Sequence, residues 1–387
     1  MKRYRGRNND DMIIFWKYER YSGKMRLVFG LLLAFVIAFQ GGCAGLNHGI
    51  RPGAQAPAGH PATVSGHQKF TTVFTELFDT VTIVIAYAES QEEFDYFAGM
   101  IQGRMEELHR LYDIYHEYEG VNNLYTINQN AGIMPVQAEK EIIEMLLLAR
   151  EWHALSGGTV NIALGPVLRI WSDYRAKGAG LPPMEALEKA ALLTDIDDLI
   201  INEAAGTVFL SKPGMSLDVG SVAKAYAAQL AVKEAGAAGL RSALISAGGN
   251  IISLGKPLDG LRERWSIGIK DPDHQKNDDI IDTVLIAGLT VSCSGGYERY
   301  YHVDGQPYHH IIDPAALMPA NRYRQVTVIH ENAGLADILS TALFILPYEE
   351  GARLAASVNA EVLWIDQDGK WQATEGYREM SDELSKK

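Results

Sequence analysis

The residues best suited to chemistry crowd between Leu289 and Leu343. Ser292-Cys293-Ser294-Gly295-Gly296-Tyr297-Glu298-Arg299-Tyr300 comes first, then His309-His310-Ile311-Ile312-Asp313-Pro314, then Asp337-Ile338-Leu339-Ser340-Thr341-Ala342. Glycines and small hydroxyls let a ligand approach the backbone closely. Asp337 and Thr341 lie one helical turn apart, so both side chains can face one point. A carboxylate with a hydroxyl is a hard oxygen set, suited to Mg²⁺ or Ca²⁺ and not to zinc. The same Asp337 could instead serve only as the N-cap of a helix beginning at Ile338. His302, His309 and His310 match no zinc spacing. His310, followed by apolar residues, reads either as an acid/base group or as a hydrogen-bonded core residue. The mixture suits a phosphorylated ligand held through a metal ion better than a plain core.

Two upstream segments add to this set. Leu217-Asp218-Val219-Gly220-Ser221-Val222-Ala223-Lys224 reads as strand, glycine turn and helix. A helix start after such a turn offers free N–H groups and a positive dipole end, which suit phosphate, and Lys224 adds a cation. It is not a P-loop, because the Gly-Lys-Ser/Thr ending is missing; an ordinary strand-to-helix turn explains it equally. Ser246-Ala247-Gly248-Gly249-Asn250 sits between two apolar strands and is either a close-approach site or a hairpin turn.

The elements that must position these residues read as follows. Residues 74–87 form a strand with a break at Phe78-Asp79-Thr80, 92–118 and 137–156 form helices, and an Asn-rich loop spans 121–132. Strands follow at 207–210, 216–219, 242–247, 250–254, 264–269, 283–287, 325–329 and 361–365, with helices at 221–235 and 336–345. Strands and helices are not evenly interleaved, so the fold class is α+β, one large domain of mixed sheets and helices.

Composition narrows the function. The chain has 387 residues, 47% apolar and 21% charged, which marks a globular protein. A formal charge of −13 argues against nucleic acid as a partner. An anionic ligand must therefore be neutralised locally, by a metal or by backbone N–H groups. Two cysteines, Cys43 and Cys293, form neither a disulfide scaffold nor a thiolate metal site. The apolar run 27–39 follows Met25-Arg26 and has signal-peptide length, and small residues precede Cys43 as in a bacterial lipoprotein cleavage box, though Gln40 stands at an aliphatic position. An uncleaved membrane anchor is the other reading. The expected layout is an N-terminal extension and lipoprotein signal peptide over 1–43, a flexible linker over 44–68, the folded domain over 69–375 and a polar tail over 376–387. Lipid on Cys43 would hold the exported domain on the extracytoplasmic side of the membrane.

Taken in order, these motifs resemble the ApbE family of FAD:protein FMN transferases. The resemblance is carried by Phe78-Asp79-Thr80, Asn128, Val160-Asn161-Ile162-Ala163-Leu164-Gly165-Pro166 leading to Trp171, Leu217 to Lys224, Ser246 to Asn250, Trp265 to Pro272, Ser294 to Arg299, His309 to Pro314, and Asp337 to Thr341. It implies FAD as substrate with Mg²⁺ at its pyrophosphate. Asp337, Thr341 and a backbone carbonyl near Ala223 would be the metal ligands, and His310 the catalytic residue. Thr80, Asp218, Lys224, Gly248, Gly249 and Ser294 would hold the flavin nucleotide. The implied reaction moves FMN onto a Thr or Ser hydroxyl of an exported electron-transfer protein and releases AMP. An FAD pyrophosphatase and a non-catalytic FAD-binding lipoprotein are the alternatives. The chain departs from the family at Ala315-Ala316-Leu317, where a basic residue and then Thr-Gly are usual; this would remove donors near the pyrophosphate. Cys293 stands at a Thr position and is expected to be a small buried thiol.

Overall fold

The computed structural model describes residues 66–273 and 280–385. The signal segment, Cys43 and the linker up to residue 65 lie outside the described residues. In chain order the elements are β1 (Gln68–Leu77), β2 (Thr80–Ala88), α1 (Gln91–Tyr112), α2 (Leu124–Gln129), β3 (Val136–Gln137), α3 (Lys140–Leu155), α4 (Gly165–Lys177) and α5 (Met184–Ala191). They continue with β4 (Leu199–Asn202), β5 (Thr207–Leu210), α6 (Ala223–Ala237), β6 (Ala243–Ala247), β7 (Asn250–Leu254), β8 (Trp265–Lys270), β9 (Ile280–Ile286) and β10 (Thr290–Gly295). The last are β11 (Tyr300–Val303), β12 (Gln306–His309), β13 (Ile312–Asp313), β14 (Met318–Pro319), β15 (Tyr323–His330), α7 (Ala333–Ile345), α8 (Tyr348–Ser357), β16 (Glu361–Asp366), β17 (Trp371–Ala373) and α9 (Glu375–Met380).

An antiparallel sheet of order β1-β2-β6-β7-β10-β15-β16-β17 is the frame, which agrees with the α+β expectation. Its β2 and β6 strands are covered on both faces, so they are largely apolar and do not alternate. In β2, Val84, Ala86 and Ala88 pack under α1 and α6, while Val81, Ile83, Ile85 and Tyr87 face the β8–β9 hairpin on the other side. A second helical core, from α2, α3 and α7, lies against β15 and β16. A small lobe of α4, α5 and the β11–β14 turns stands beside the frame, centred on the buried Trp171, whose indole N–H donates to Leu317 O at 2.9 Å.

Several boundaries differ from the sequence reading, each for a local reason. The stretch 74–87 is a hairpin and not one strand: Leu77 pairs with Thr80 across the two-residue turn Phe78-Asp79, both at positive φ. The α1 helix ends at Tyr112 and not 118, because the Asp113 carboxylate accepts from the Tyr115 and His116 N–H groups and the Tyr118 hydroxyl, closing a turn. The Asn-rich loop contains α2, capped by Asn123. Residues 216–219 are not a strand, because Asn128 takes the Leu217 backbone: its Nδ2 donates to Leu217 O at 3.0 Å and its Oδ1 accepts from Leu217 N at 2.7 Å.

The expected polar tail is largely part of the fold. Tyr377 is fully buried, and its hydroxyl donates to the buried Asp282 at 3.1 Å, joined by Ser381 Oγ at 2.8 Å and Glu383 N at 3.3 Å. Asp282→Ala would orphan these donors. We expect a loss of about 3 kcal/mol, read by denaturant unfolding, with the tail becoming cleavable by protease before global unfolding.

Candidate active site

One cavity of about 1000 Å³ opens between the sheet frame and the α4 lobe. Thr80, Asp218, Lys224, Gly248, Gly249, Ser294, His310, Asp337 and Thr341 all line it. Residues up to 261 apart in sequence number, from Thr80 in β2 to Thr341 in α7, are therefore brought to one wall system. Ala223 is the exception. It is 4% exposed inside the start of α6 and does not reach the cavity, whereas its neighbours Gly220 and Ser221 do. The carbonyl expected from the loop near Ala223 thus belongs to a loop that borders the cavity, where Gly220 O accepts from Lys224 Nζ at 3.1 Å.

The loop carrying Asp218 is fixed from three sides. Asn128 clamps Leu217, Asp218 N donates to Ile162 O at 2.8 Å, and Gly165 lets α4 start against Ser216, where a Cβ would come within 2.4 Å of Ser216 O. This explains why Asn128 and the 160–166 segment travel with the site. Burial raises the Asp218 carboxyl above its usual value, opposed by the Gly220 N–H and by Lys224, Arg299 and Arg175.

Gly248 and Gly249 form the two-residue β6–β7 turn, both at positive φ, where glycine costs nothing. A Cβ at Gly248 would meet Thr80 Oγ1 at 3.0 Å and Lys224 Cδ at 3.3 Å, so this turn, Thr80 and Lys224 form one packed corner. A Cβ at Gly249 would meet nothing within 4 Å.

Asp337 is not a helix cap. The α7 helix begins at Ala333 and is capped by Asn332, whose side chain accepts from Leu335 N at 3.1 Å. Asp337 therefore sits a full turn inside the helix with its carboxylate turned into the cavity. It is 9% exposed, and its Oδ2 has no hydrogen-bond partner. Burial pushes its pKa up to about 6, against Lys224, the Asn250 side chain and the Ala225 N–H. Thr341 Oγ1 makes only a 3.5 Å contact to Asp337 O. Ser294 Oγ, by contrast, is tied to Ser340 Oγ at 2.8 Å.

The two histidines separate cleanly. His309 is structural: its Nδ1 accepts from Ile311 N at 3.2 Å, its Nε2 contacts Ala320 O at 2.7 Å, and its ring meets Phe344 edge-on. His310 lines the cavity with an unpartnered Nδ1. Burial, together with the charges of Arg299, His309, Lys224 and Arg175, holds its imidazole down at about 3, so it is neutral at ordinary pH. The turn Ala315-Ala316-Leu317 does not line the cavity; Ala315 and Ala316 are exposed beyond it. Cys293, expected to be buried, is half-buried on the cavity wall with Sγ 3.3 Å from Thr327 Oγ1.

Three lining residues carried no role in the sequence reading. Tyr115, 64% exposed, presents an aromatic face at the rim. Arg175 and Arg299 bring guanidinium groups from α4 and the β10–β11 turn. Exposed aromatics and arginines are ordinary surface residues in a sequence; only the cavity singles them out.

An antiparallel frame with a cation-rimmed, glycine-cornered cavity and a buried unpartnered carboxylate defines a protein built to hold a large anionic ligand. The chain belongs to the ApbE family, whose model matches residues 78–364. It is 34% identical over 268 residues to the FAD:protein FMN transferase of Treponema pallidum, covering 65% of this chain and 73% of that protein. It is 34% identical over 228 residues to one from Klebsiella pneumoniae, covering 58% and 68%. Among solved structures, the ApbE protein of Thermotoga maritima superposes with a TM-score of 0.73 at 26% identity, covering 81% of this chain and 99% of that one.

Proposed function

We propose that this protein is an FAD:protein FMN transferase that moves FMN from FAD onto a Thr or Ser hydroxyl of an exported electron-transfer protein and releases AMP. The observation that carries the reading is the Asp337 carboxylate, buried within a helix with its Oδ2 unpartnered, yet facing the cavity beside Thr341 and the Lys224–Gly248 corner. A carboxylate left so is a ligand in waiting. No group of three or more His, Cys, Asp or Glu able to hold a metal occurs among the described residues. Mg²⁺ is commonly held by one or two carboxylates, with water and substrate phosphates completing the shell. Asp337 and Thr341 would hold it, with a carbonyl from Gly220 or Ser221, and when bound it would offset charge on the phosphate oxygens.

The chain's own groups divide the remaining work. Thr80, Lys224 and the Gly248-Gly249 backbone would hold the diphosphate, and Asp218 and Tyr115 the flavin end. The acceptor oxygen attacks the phosphorus on the FMN side, its proton passes to the neutral His310, and the P–O bond to AMP breaks with the electron pair leaving on AMP. The front end of the sequence supports an exported protein tethered through lipid on Cys43.

The test is AMP release from FAD with Mg²⁺ and a Thr-bearing acceptor. Bound FAD without AMP would refute the enzymatic reading. AMP with free FMN alone would make the protein a pyrophosphatase. The corner is tested by Gly248→Ala, which adds about 1 kcal/mol of backbone strain and pushes on Thr80 and Lys224. We expect FAD binding to weaken about tenfold in a flavin-fluorescence titration, more than for Gly249→Ala.

A further inference from the structure

We infer that Arg175 and Arg299 form a two-armed guanidinium clamp on the diphosphate of the nucleotide substrate. The inference rests on the transferase reading of the cavity. Some arginines of this acidic chain are compensated: Arg104 pairs with Glu107 and Glu141, and Arg262 with Asp259. Arg175 and Arg299 pair with no carboxylate among the described residues. Arg175 is half-buried and reaches only Ser172 Oγ, at 3.5 Å. The adjacent Glu298 is drawn off to Lys270 at 3.3 Å. Arg299 is exposed at the same cavity, and the half-buried Arg175 charge beside it is unfavourable without a counter-charge. The effect is visible in Arg175, whose proton affinity is lowered by burial and then by Arg299.

The direction the pair faces identifies the counter-charge. The ionised side chains that bear most on His310 are Arg299, Lys224 and Arg175, all positive. A group that reacts beside His310 thus sits among cations from three separate elements. Guanidinium is planar and matches phosphate oxygens in a fork, which a single lysine does not. A diphosphate lying between the Lys224 corner and the two arginines satisfies all three.

The experiment titrates the full chain, in Mg²⁺, with FAD and separately with riboflavin, which has no phosphate. Arg175→Gln and Arg299→Gln are each expected to weaken FAD binding about tenfold, and the double variant about a hundredfold. The salt dependence of FAD binding should become shallower, and riboflavin affinity should stay within about twofold of the parent protein. The Arg→Lys variants, which keep charge but lose the fork, should fall between. Three results would overturn the clamp: FAD affinity unchanged in the double variant, parallel weakening of FAD and riboflavin (a folding role), or unchanged FAD binding with a raised KM for the acceptor. The titration needs no turnover. A parent protein that binds FAD in this way yet releases no AMP would refute the transferase reading and leave the clamp standing.

Discussion

Asp337→Asn should abolish AMP release and at the same time make the ligand-free protein more stable. The carboxylate is buried with one oxygen unpartnered, and burial has raised it to about 6 from 3.8. Keeping it ionised near neutrality costs the fold roughly 3 kcal/mol. Removing that charge should raise Tm by several degrees, and the sign has a pH signature. A group raised in the folded state favours folding only while protonated, so its contribution is present below about 3.8 and lost as pH rises through about 6. The advantage of the Asn variant should therefore be largest above pH 6 and vanish near pH 4. In the parent protein, protonation of Asp337 competes with metal, so kcat/KM for FAD should fall on the acid side near 6 at low Mg²⁺. Raising Mg²⁺ should move that limb to lower pH. A limb indifferent to Mg²⁺ would remove Asp337 from the metal site.

His310→Asn is expected to lower AMP release by about 10²- to 10⁴-fold while leaving FAD affinity within a few-fold. The imidazole is neutral over the working range, so its removal takes away a proton acceptor and no charge. Stability should respond in the opposite sense to Asp337. The folded pKa lies at about 3, below the usual 6.5, so the contribution is complete above 6.5 and lost as pH falls, because the unfolded chain takes up the proton first. Thermal melts between pH 7 and 4 should show a steeper decline for the parent protein than for the variant. Equal slopes would mean that His310 titrates normally and is not enclosed by the cations around it.

Much of the site was legible in the sequence because its motifs are local: a Gly-Gly turn, a helix start after Asp218-Val219-Gly220, an i,i+4 Asp/Thr pair. What the sequence left open was decided by placement. Whether Asp337 was cap or ligand turned on where α7 begins, and Asn332, three residues before Leu335, was the readable signal that it begins earlier. The Phe78-Asp79 turn escaped because positive φ at both positions ordinarily announces itself as Asn-Gly. The β10 strand escaped because its polar residues Ser292, Cys293 and Ser294 face ligand and neighbours in the middle of the sheet, so neither alternation nor an apolar run marks it. Ala315 and Ala316 are exposed and do not line the cavity. Arg175 was not singled out, and Arg299 was named only as part of a motif with no role of its own, because only the fold brings α4 and the β10–β11 turn to one cavity.

The central claim is transfer, and its most direct test follows flavin onto a protein. The full chain, FAD, Mg²⁺ and an exported acceptor bearing a Thr would be incubated, and the acceptor analysed by peptide mass spectrometry alongside AMP release. The account predicts FMN joined through its phosphate to the Thr oxygen, one AMP per flavinylated acceptor, and loss of both with Asp337→Asn or His310→Asn. AMP accompanied by free FMN and an unmodified acceptor would contradict it.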